Sequence, residues 1–384
     1  MITKFRIFLL LLCGALVILT ASWSPSPEKR ASSKISAPAK TQQYLYVAVP
    51  GIRNYLEYGG HGILVFDMAN DHRLVKRIPT GGLKADGTPS NVKGVAVSLA
   101  TNSIYVTTLE ALQRIDLATE KIIWEKTYEG GCDRLSMSPD GKLLYLPTLE
   151  KENWNVVDAE MGDVIKQVFT NSGAHNTLYG ADGTKVYMAG LRTPTLGVAE
   201  TKTHTVVKQV GPFTNAIRPF TINGSQTLCY VNVNGLLGFE VGDLKTGNKL
   251  HRVEVEGFKQ GPVKRHGCPS HGIGLTPDEK EVWLCDAFNQ RLHIFDNTVM
   301  PPKQVTSIEV RDQPGWITFS IDGKYAYPST GEVIDVKKKK VVATLKDENG
   351  NAVSSEKVVE IHLNDKKAVK AGDQFGIGRV TKGA

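Results

Sequence analysis

The feature that most constrains the fold of this chain is an internal repeat of a strand, a tight turn and a second strand. Six segments share a β-rich run, a turn of Asp, Asn or Gly, and another β-rich run: 94–109 (GVAVSLATNSIYVTTL), 135–149, 177–191, 220–235, 273–287 and 317–330. Each is followed by a second hairpin, and one more such hairpin comes first, at 63–78. Hairpins repeated in this way predict an all-β architecture built from similar sheets.

The number of hairpins predicts a closed ring. There are seven outer hairpins but six inner ones, and a lone strand at 44–49 (YLYVAV) precedes the first outer hairpin. An unpaired strand at 357–363 (KVVEIHL) supplies a candidate partner from the other end of the chain. Seven units of four strands predict a seven-bladed β-propeller, in which the C-terminal strand completes the first blade and removes an open sheet edge.

The composition agrees with one large folded domain at 44–384. The chain has 384 residues, of which 41% are hydrophobic and 22% charged, enough to bury a sizeable core. Its 37 glycines and 18 prolines favour many turns over long helices.

The N-terminal segment 1–22 has the pattern of an export signal. Lys4 and Arg6 precede an unbroken apolar run at 7–19, and small residues follow at 20–22. An uncleaved membrane anchor is the alternative, because the run is close to the shortest that can cross a bilayer. Residues 23–43 are rich in Ser, Pro, Ala and Lys and predict a flexible linker. We therefore expect an exported protein, periplasmic or extracellular, that touches a membrane only if its N-terminus is retained.

The formal charge of +7 is spread along the chain, so it indicates attraction to anionic partners and not a nucleic-acid interface.

The repeat alignment also predicts which residues meet at one mouth of the central channel. One position per blade, just before each innermost strand, gives Lys93, Arg134, His175, Arg218, His271, Trp316 and Glu360. The cations among them favour a carboxylate or phosphate ligand, and the alternative is that they balance Asp133 and Glu360.

The segment 265–275 (RHGCPSHGIGL) raises the question of a metal site. His175, His266, Cys268 and His271 form a candidate ligand set for a divalent transition metal such as copper or zinc. Histidines that bond loop carbonyls are the structural alternative, and a general base or substrate anchor is a third interpretation. A haem attachment motif is absent.

Cys132, Cys229, Cys268 and Cys285 remain after the predicted signal. An oxidising compartment would allow disulfides in any of three pairings, and buried thiols are the alternative.

Three of the repeats also resemble a known family. The segments 104–109 (IYVTTL), 138–146 (SPDGKLLYL) and 270–286 (SHGIGLTPDEKEVWLCD) resemble the YVTN-type repeats of bacterial propellers, which are similar to the heavy chain of quinoprotein amine dehydrogenases. The resemblance implies the fold over roughly 44–363 and does not select a function, because such propellers include enzymes, electron-transfer partners and envelope proteins.

Two classes of function remain open. The first is a binding module whose channel mouth takes a small anionic molecule or an envelope protein. The second is an enzyme, either a hydrolase similar to seven-bladed lactonases, with His175 as base and Arg218 stabilising an oxyanion, or a metal- or partner-dependent oxidoreductase component.

Overall fold

The computed structural model describes residues 41–381. The predicted signal peptide 1–22 and residues 23–40 of the predicted linker lie outside the described residues. Within 41–381 the strands form seven antiparallel sheets and no segment is helical. None of the described residues form a helix that is long and apolar enough to cross a membrane. The predicted all-β, seven-bladed propeller is confirmed.

The sheets follow the chain order of the repeats. The first contains five strands: β1 (Gln42–Val49), β2 (Gly62–Asp67), β3 (Arg73–Ile78), β28 (Val358–Asn364) and β29 (Lys367–Ala371). The next three contain β4 (Val92–Ser98), β5 (Ser103–Thr108), β6 (Ala111–Asp116), β7 (Ile122–Thr127); β8 (Ser136–Met137), β9 (Leu143–Pro147), β10 (Asn153–Asp158), β11 (Val164–Phe169); and β12 (Ala174–Tyr179), β13 (Lys185–Gly190), β14 (Leu196–Glu200), β15 (Thr205–Val210). The last three contain β16 (Ile217–Ile222), β17 (Leu228–Val233), β18 (Gly238–Asp243), β19 (Lys249–Glu254); β20 (Ile273–Leu275), β21 (Glu281–Asp286), β22 (Arg291–Asp296), β23 (Lys303–Glu309); and β24 (Ile317–Phe319), β25 (Tyr325–Pro328), β26 (Glu332–Asp335), β27 (Lys340–Thr344).

Burial changes from the inside of each blade to its outside. The second and third strands of the second blade, β5 and β6, are buried almost throughout, because neighbouring blades cover both of their faces. The outermost strand β7 is exposed or half-buried along its whole length. The core therefore lies between the blades, where large side chains such as Trp154 and Trp283 are fully buried.

The tight turns of the inner hairpins explain the repeated Asp-Gly pairs in the sequence. Gly141 and Gly323 have φ values of 73° and 72°, a conformation that is strained for residues with a Cβ atom. In the first of these turns the backbone N–H of Lys142 donates to Oδ1 of Asp140 at 3.1 Å. The Asp closes the turn and the Gly supplies the left-handed backbone.

The C-terminal strand completes the first blade. Strand β28 pairs antiparallel with β1 over six residue pairs, from Gln42 with Leu363 to Val47 with Val358. The N–H of Ala48 extends this ladder by donating to the carbonyl oxygen of Lys357 at 2.9 Å. The two ends of the described chain thus form one sheet, as the hairpin count predicts.

Residues 372–381, which the repeat does not explain, run into the channel. The indole N–H of Trp316 donates to the carbonyl oxygen of Gln374 at 2.7 Å, and the Gln374 amide donates to the carbonyl oxygen of Leu135 at 2.9 Å. The N–H of Leu275 donates to the carbonyl oxygen of Gly376 at 2.9 Å. This C-terminal segment therefore joins three blades across one end of the channel, where a cavity of about 370 Å³ lies beside it.

Candidate functional site

A cavity of about 550 Å³ lies where the innermost strands of the blades begin. Strands β4, β12 and β16 bring polar residues to it, others stand just before β8, β20 and β28, and part of the long connection between β19 and β20 lines it. Its walls are formed by Arg53, Asn54, Tyr55, Lys93, Arg134, Glu150, His175, Leu191, Arg218, Val263, Lys264, Arg265, His266, Gly267, His271, Glu356 and Lys357.

A buried carboxylate organises one wall. Asp133, whose side chain is 1% exposed, accepts hydrogen bonds from Lys93 at 3.1 Å and from Nδ1 of His175 at 2.7 Å. Burial alone would raise the pKa of Asp133, but His175 and Lys93 hold that pKa below its usual value. Burial lowers the pKa of His175, although Asp133 opposes the shift. A neutral His175 donating from Nδ1 leaves Nε2 as an acceptor, so the pair can orient a ligand or take up a proton.

A second buried carboxylate, Glu356, has three partners. Its Oε2 accepts from Nη2 of Arg134 at 2.6 Å and from Nζ of Lys357 at 2.7 Å, and its Oε1 lies 3.0 Å from Nδ1 of His266. Burial would raise the pKa of Glu356, but Lys357 and His266 hold that pKa well below its usual value. The single negative charge of Glu356 is therefore shared by Arg134, Lys357 and the imidazole of His266.

Arg134 is held in a fixed position. Its guanidinium carbon lies 3.3 Å from the ring centroid of Trp316, and Glu356 holds Nη2 from the side. Its Nη1 is buried and has no hydrogen-bond partner among residues 41–381. A rigid guanidinium with a free N–H group is suited to bind an acceptor on a ligand.

The long loop 257–270 contributes His266 and Arg265. The rings of His266 and His271 stack with their centroids 4.8 Å apart, and Nδ1 of His271 donates to the carbonyl oxygen of Gly315 at 2.8 Å. Arg265 lies over the ring of Tyr55 at 3.8 Å. Burial, followed by the neighbouring His266, lowers the pKa of His271 well below its usual value, so His271 is neutral near pH 7.

Arg218 completes the basic wall. Its Nε donates to Oδ1 of Asn234 at 2.6 Å, which orients the guanidinium toward the loop at Gly267. Among the described residues, the cavity walls carry seven Lys and Arg side chains and two Glu side chains, with Asp133 behind them. The site therefore carries an excess of positive charge even without a contribution from His175 and His271.

The structure brings together five of the seven residues that the repeat alignment predicts: Lys93, Arg134, His175, Arg218 and His271. Trp316 lies next to them, beneath Arg134. Glu360 is misplaced by the alignment: it pairs with Leu45 within the sheet, and its carboxylate accepts from the N–H of Ile321 at 2.6 Å. Strand β28, which corresponds to the first strand of each other blade, begins at Val358, so Glu356 and Lys357 take the place at the cavity.

The predicted metal ligands are only partly together. His266, His271 and Glu356 have possible ligand atoms within 4.8 Å of one another, whereas Cys268 and His175 are not part of this group. The thiol of Cys268 donates to the carbonyl oxygen of Ser270 at 3.2 Å, and burial raises its pKa to about 12. Cys132, Cys229, Cys268 and Cys285 are all free and buried, so the structure contains buried thiols at the four positions.

Sequence reasoning missed Glu356 and Lys357 because the strand at 357–363 has no turn motif that fixes its alignment with the other blades. Spacing gave no signal either, because the connection that leads into the first strand of a blade varies from four residues between β11 and β12 to eighteen between β19 and β20.

The comparisons with known proteins show the fold alone. No protein-family model matches the chain, and no curated protein matches it. Among solved structures 1613 chains match, so the architecture is too widespread to indicate one function. One of them, from the hydrazine synthase of Kuenenia stuttgartiensis, is 13% identical with a TM-score of 0.59, and the match covers 75% of this chain and 90% of that chain.

Proposed function

We propose that this protein is an exported β-propeller that binds a small anionic ligand, most simply a carboxylate, in the cavity at the channel mouth. The observation that carries the proposal is the free Nη1 of Arg134, buried in a cavity whose Lys and Arg side chains outnumber its acidic ones. A ligand carboxylate would accept from Arg134 and Arg218, and Nε2 of His175 could accept from a hydroxyl group on the same ligand.

The proposed export rests on the segment 1–22, with its two cations and apolar run. The proposed relationship to YVTN-type propellers rests on the three repeats quoted above. The first supports a place outside the cytoplasm, and the second supports the fold without selecting a function. A protein partner with an acidic segment is the alternative occupant of the same surface.

Thermal-shift and calorimetric titrations test the proposal. Lactate, succinate and citrate should stabilise the protein at low ionic strength, and added salt should weaken the effect. Arg218→Ala should weaken binding about 5- to 30-fold, or about 1 to 2 kcal/mol, because Arg218 is half-buried and its charge is partly screened. Arg73→Ala, on the exposed outer strand β3, is the control and should bind as the wild type does. If none of the carboxylates binds, the small-ligand proposal is wrong and an acidic protein partner becomes the proposal to test.

A transition metal is the second candidate, favoured by the grouping of His266, His271 and Glu356. The bond from Nδ1 of His271 to Gly315 would leave Nε2 free for a metal. The electrostatics oppose a cation, because Arg134 and Lys357 already share the carboxylate of Glu356. A metal-binding protein should purify with stoichiometric zinc or copper and lose the metal to a chelator. His271→Ala should lower its affinity for the metal by about tenfold or more.

A further inference from the structure

A second cavity, of about 370 Å³, lies beside the C-terminal segment 372–381 at the far end of the channel, and we call it the far cavity. The second, third and fourth blades form its other walls. Within residues 41–381 it shares no lining residue with the cavity at the channel mouth. Its apolar lining includes Val97, Leu99, Met137, Tyr179, Phe375 and Ile377. A cavity of this size with such a lining is typical of a site for a small ligand.

The charged groups of the far cavity already have partners within the chain. They belong to Asp140, Asp373 and Arg379. The guanidinium of Arg379 lies 3.6 Å from the carboxylate of Asp373, and the carboxylate of Asp140 accepts from the hydroxyl group of Ser138 at 2.6 Å. The channel mouth, by contrast, has an excess of cations. The far cavity therefore favours a neutral ligand.

The edges of two strands add backbone polar groups to this wall. Among the described residues, β4 and β8 are the innermost strands of their sheets, so one side of each has no strand of its own sheet to pair with. The N–H of Ser138 donates to the carbonyl oxygen of Leu143 at 2.8 Å, so the alternation of an antiparallel ladder turns the N–H and C=O groups of Met137 toward the channel. The N–H of Val95 also points into the channel, and Val97, two residues further along β4, presents its backbone groups on the same side.

The chain itself shows what these edges bind. Oε1 of Gln374 accepts from the N–H of Val95 at 3.3 Å, and Nε2 of the same side chain donates to the carbonyl oxygen of Leu135 at 2.9 Å. A single amide group thus bridges the inner edges of β4 and of the residues that lead into β8. Val97 and Met137 lie two residues further along the same edges and line the far cavity.

Backbone amides of the C-terminal segment bond the inner edges of other blades. The N–H of Leu275, in β20, donates to the carbonyl oxygen of Gly376 at 2.9 Å, and the N–H of Gly378 donates to the carbonyl oxygen of Ile222, in β16, at 3.0 Å. An extended chain can therefore lie in this end of the channel and pair with the innermost strands.

We propose that the far cavity binds a short, neutral, apolar peptide segment in an extended conformation. Its main-chain amides pair with the edges of β4 and β8 at Val97 and Met137, as the amide of Gln374 does one step away, and its side chains contact Leu99 and Phe375. The cavity holds about two or three residues, the size of an ordinary small ligand. This inference does not depend on the proposed function, because the cavity and the class of ligand are different.

Calorimetric titration of the full chain with blocked peptides tests the inference. The probes are N-acetyl-Ala-Leu-Ala amide, its counterpart with Phe in the centre, and both peptides with N-methyl groups on the backbone amides. We expect saturable binding of one blocked peptide per chain. The N-methylated forms keep the apolar side chains but lose the N–H donors, so they should bind about tenfold or more weakly. Lactate, the probe for the channel mouth, should not compete.

Two exposed leucines provide matched variants that leave the core intact. Leu99 lines the far cavity and is 42% exposed, and Leu99→Ala should weaken peptide binding about fivefold because an apolar contact is lost. Leu83, which is 57% exposed and lines neither cavity, supplies the control: Leu83→Ala should bind the peptide as the wild type does.

Three results would overturn the inference. The first is that neither blocked peptide binds. The second is that the N-methylated forms bind as tightly as the parent peptides, which would exclude pairing with the strand edges. The third is that Leu99→Ala binds the peptide as well as Leu83→Ala does, which would place the peptide elsewhere. None of these results would affect the proposed binding of anions, which lactate measures separately.

Discussion

Asp133 shows how one buried residue can determine the charge of a whole wall. Its carboxylate faces Lys93 and His175, and the side chain of Lys93 is itself 6% exposed. Removing the negative charge would leave a buried ammonium group without its counter-ion, which is more costly than losing a surface ion pair. The geometry of His175 depends on the same carboxylate.

We therefore predict that Asp133→Asn lowers the free energy of unfolding by about 3 kcal/mol at pH 7, since the variant breaks one partner of a buried pair. Asp163→Asn is the control, because Asp163 is 67% exposed and its pair with Lys126 lies on the surface; its effect should stay below about 1 kcal/mol. Urea unfolding followed by fluorescence measures both. Equal effects of the two substitutions on the free energy of unfolding would show that the buried ammonium group of Lys93 does not need Asp133 as its counter-ion.

Individual site residues were predictable where the repeat fixes their position. Lys93, His175 and Arg218 each occupy the second position of an innermost strand, so aligning the turns was enough to bring them together. The partners of these residues were harder to predict. Which cation meets Glu356, and which nitrogen of Arg134 stays free, depends on side-chain packing between blades that no spacing in the sequence encodes.

At the scale of elements, the C-terminal segment has two separable roles. Strand β28 closes the ring by pairing with β1, whereas residues 372–381 lie in the channel and contact Trp316, Leu135 and Leu275. The hairpin count predicted β28 because the first blade lacked a strand. It did not predict β29 or the channel segment, since neither has a counterpart in another blade.

Two truncations should separate these roles. A chain ending at Ala371 keeps β28 and β29 and should still unfold cooperatively, but with about 3 to 5 kcal/mol less stability, because it loses several hydrogen bonds and the buried ring of Phe375. A chain ending at Glu356 also loses β28, leaves an edge along β1 open, and should aggregate or unfold without cooperativity. Calorimetry distinguishes them. A cooperative transition at the wild-type temperature for the shorter chain would refute the ring-closure argument.

Asp373 gives the channel segment a pH-dependent contribution. Burial raises the pKa of Asp373 from 3.8 to about 6, although Arg379 opposes the shift. The folded state thus favours the protonated carboxyl: the associated stability is fully present below about pH 4 and is lost as the pH rises through about 6.

It follows that Asp373→Asn should stabilise the protein at pH 8 and have little effect at pH 4. Because the Asp373 side chain is 31% exposed, solvent screening limits the gain to about 1 kcal/mol. Melting temperatures measured from pH 4 to pH 8 check this, with Asp322→Asn on an exposed inner turn as the control. A gain that is the same at both pH values would argue against titration of Asp373.

At the scale of the whole molecule, the propeller fold brings basic residues that are far apart in the sequence together around one cavity. The formal charge of +7 is scattered along the sequence, but the ring gathers cations from several blades and the long loop around one opening. The blades could be predicted because each repeat carries its own turn residues. The segment that crosses the far end of the channel could not be predicted, because it has no counterpart in the repeats.

The central claim is that this cavity is a site for anions, and its most direct test is a crystal structure of the protein grown with selenate, whose selenium gives an anomalous signal. The account predicts a selenium peak inside the cavity within hydrogen-bond distance of Nη1 of Arg134, and the loss of this peak when lactate is added in excess. Selenium peaks confined to exposed lysines and arginines, with none beside Arg134, would contradict it.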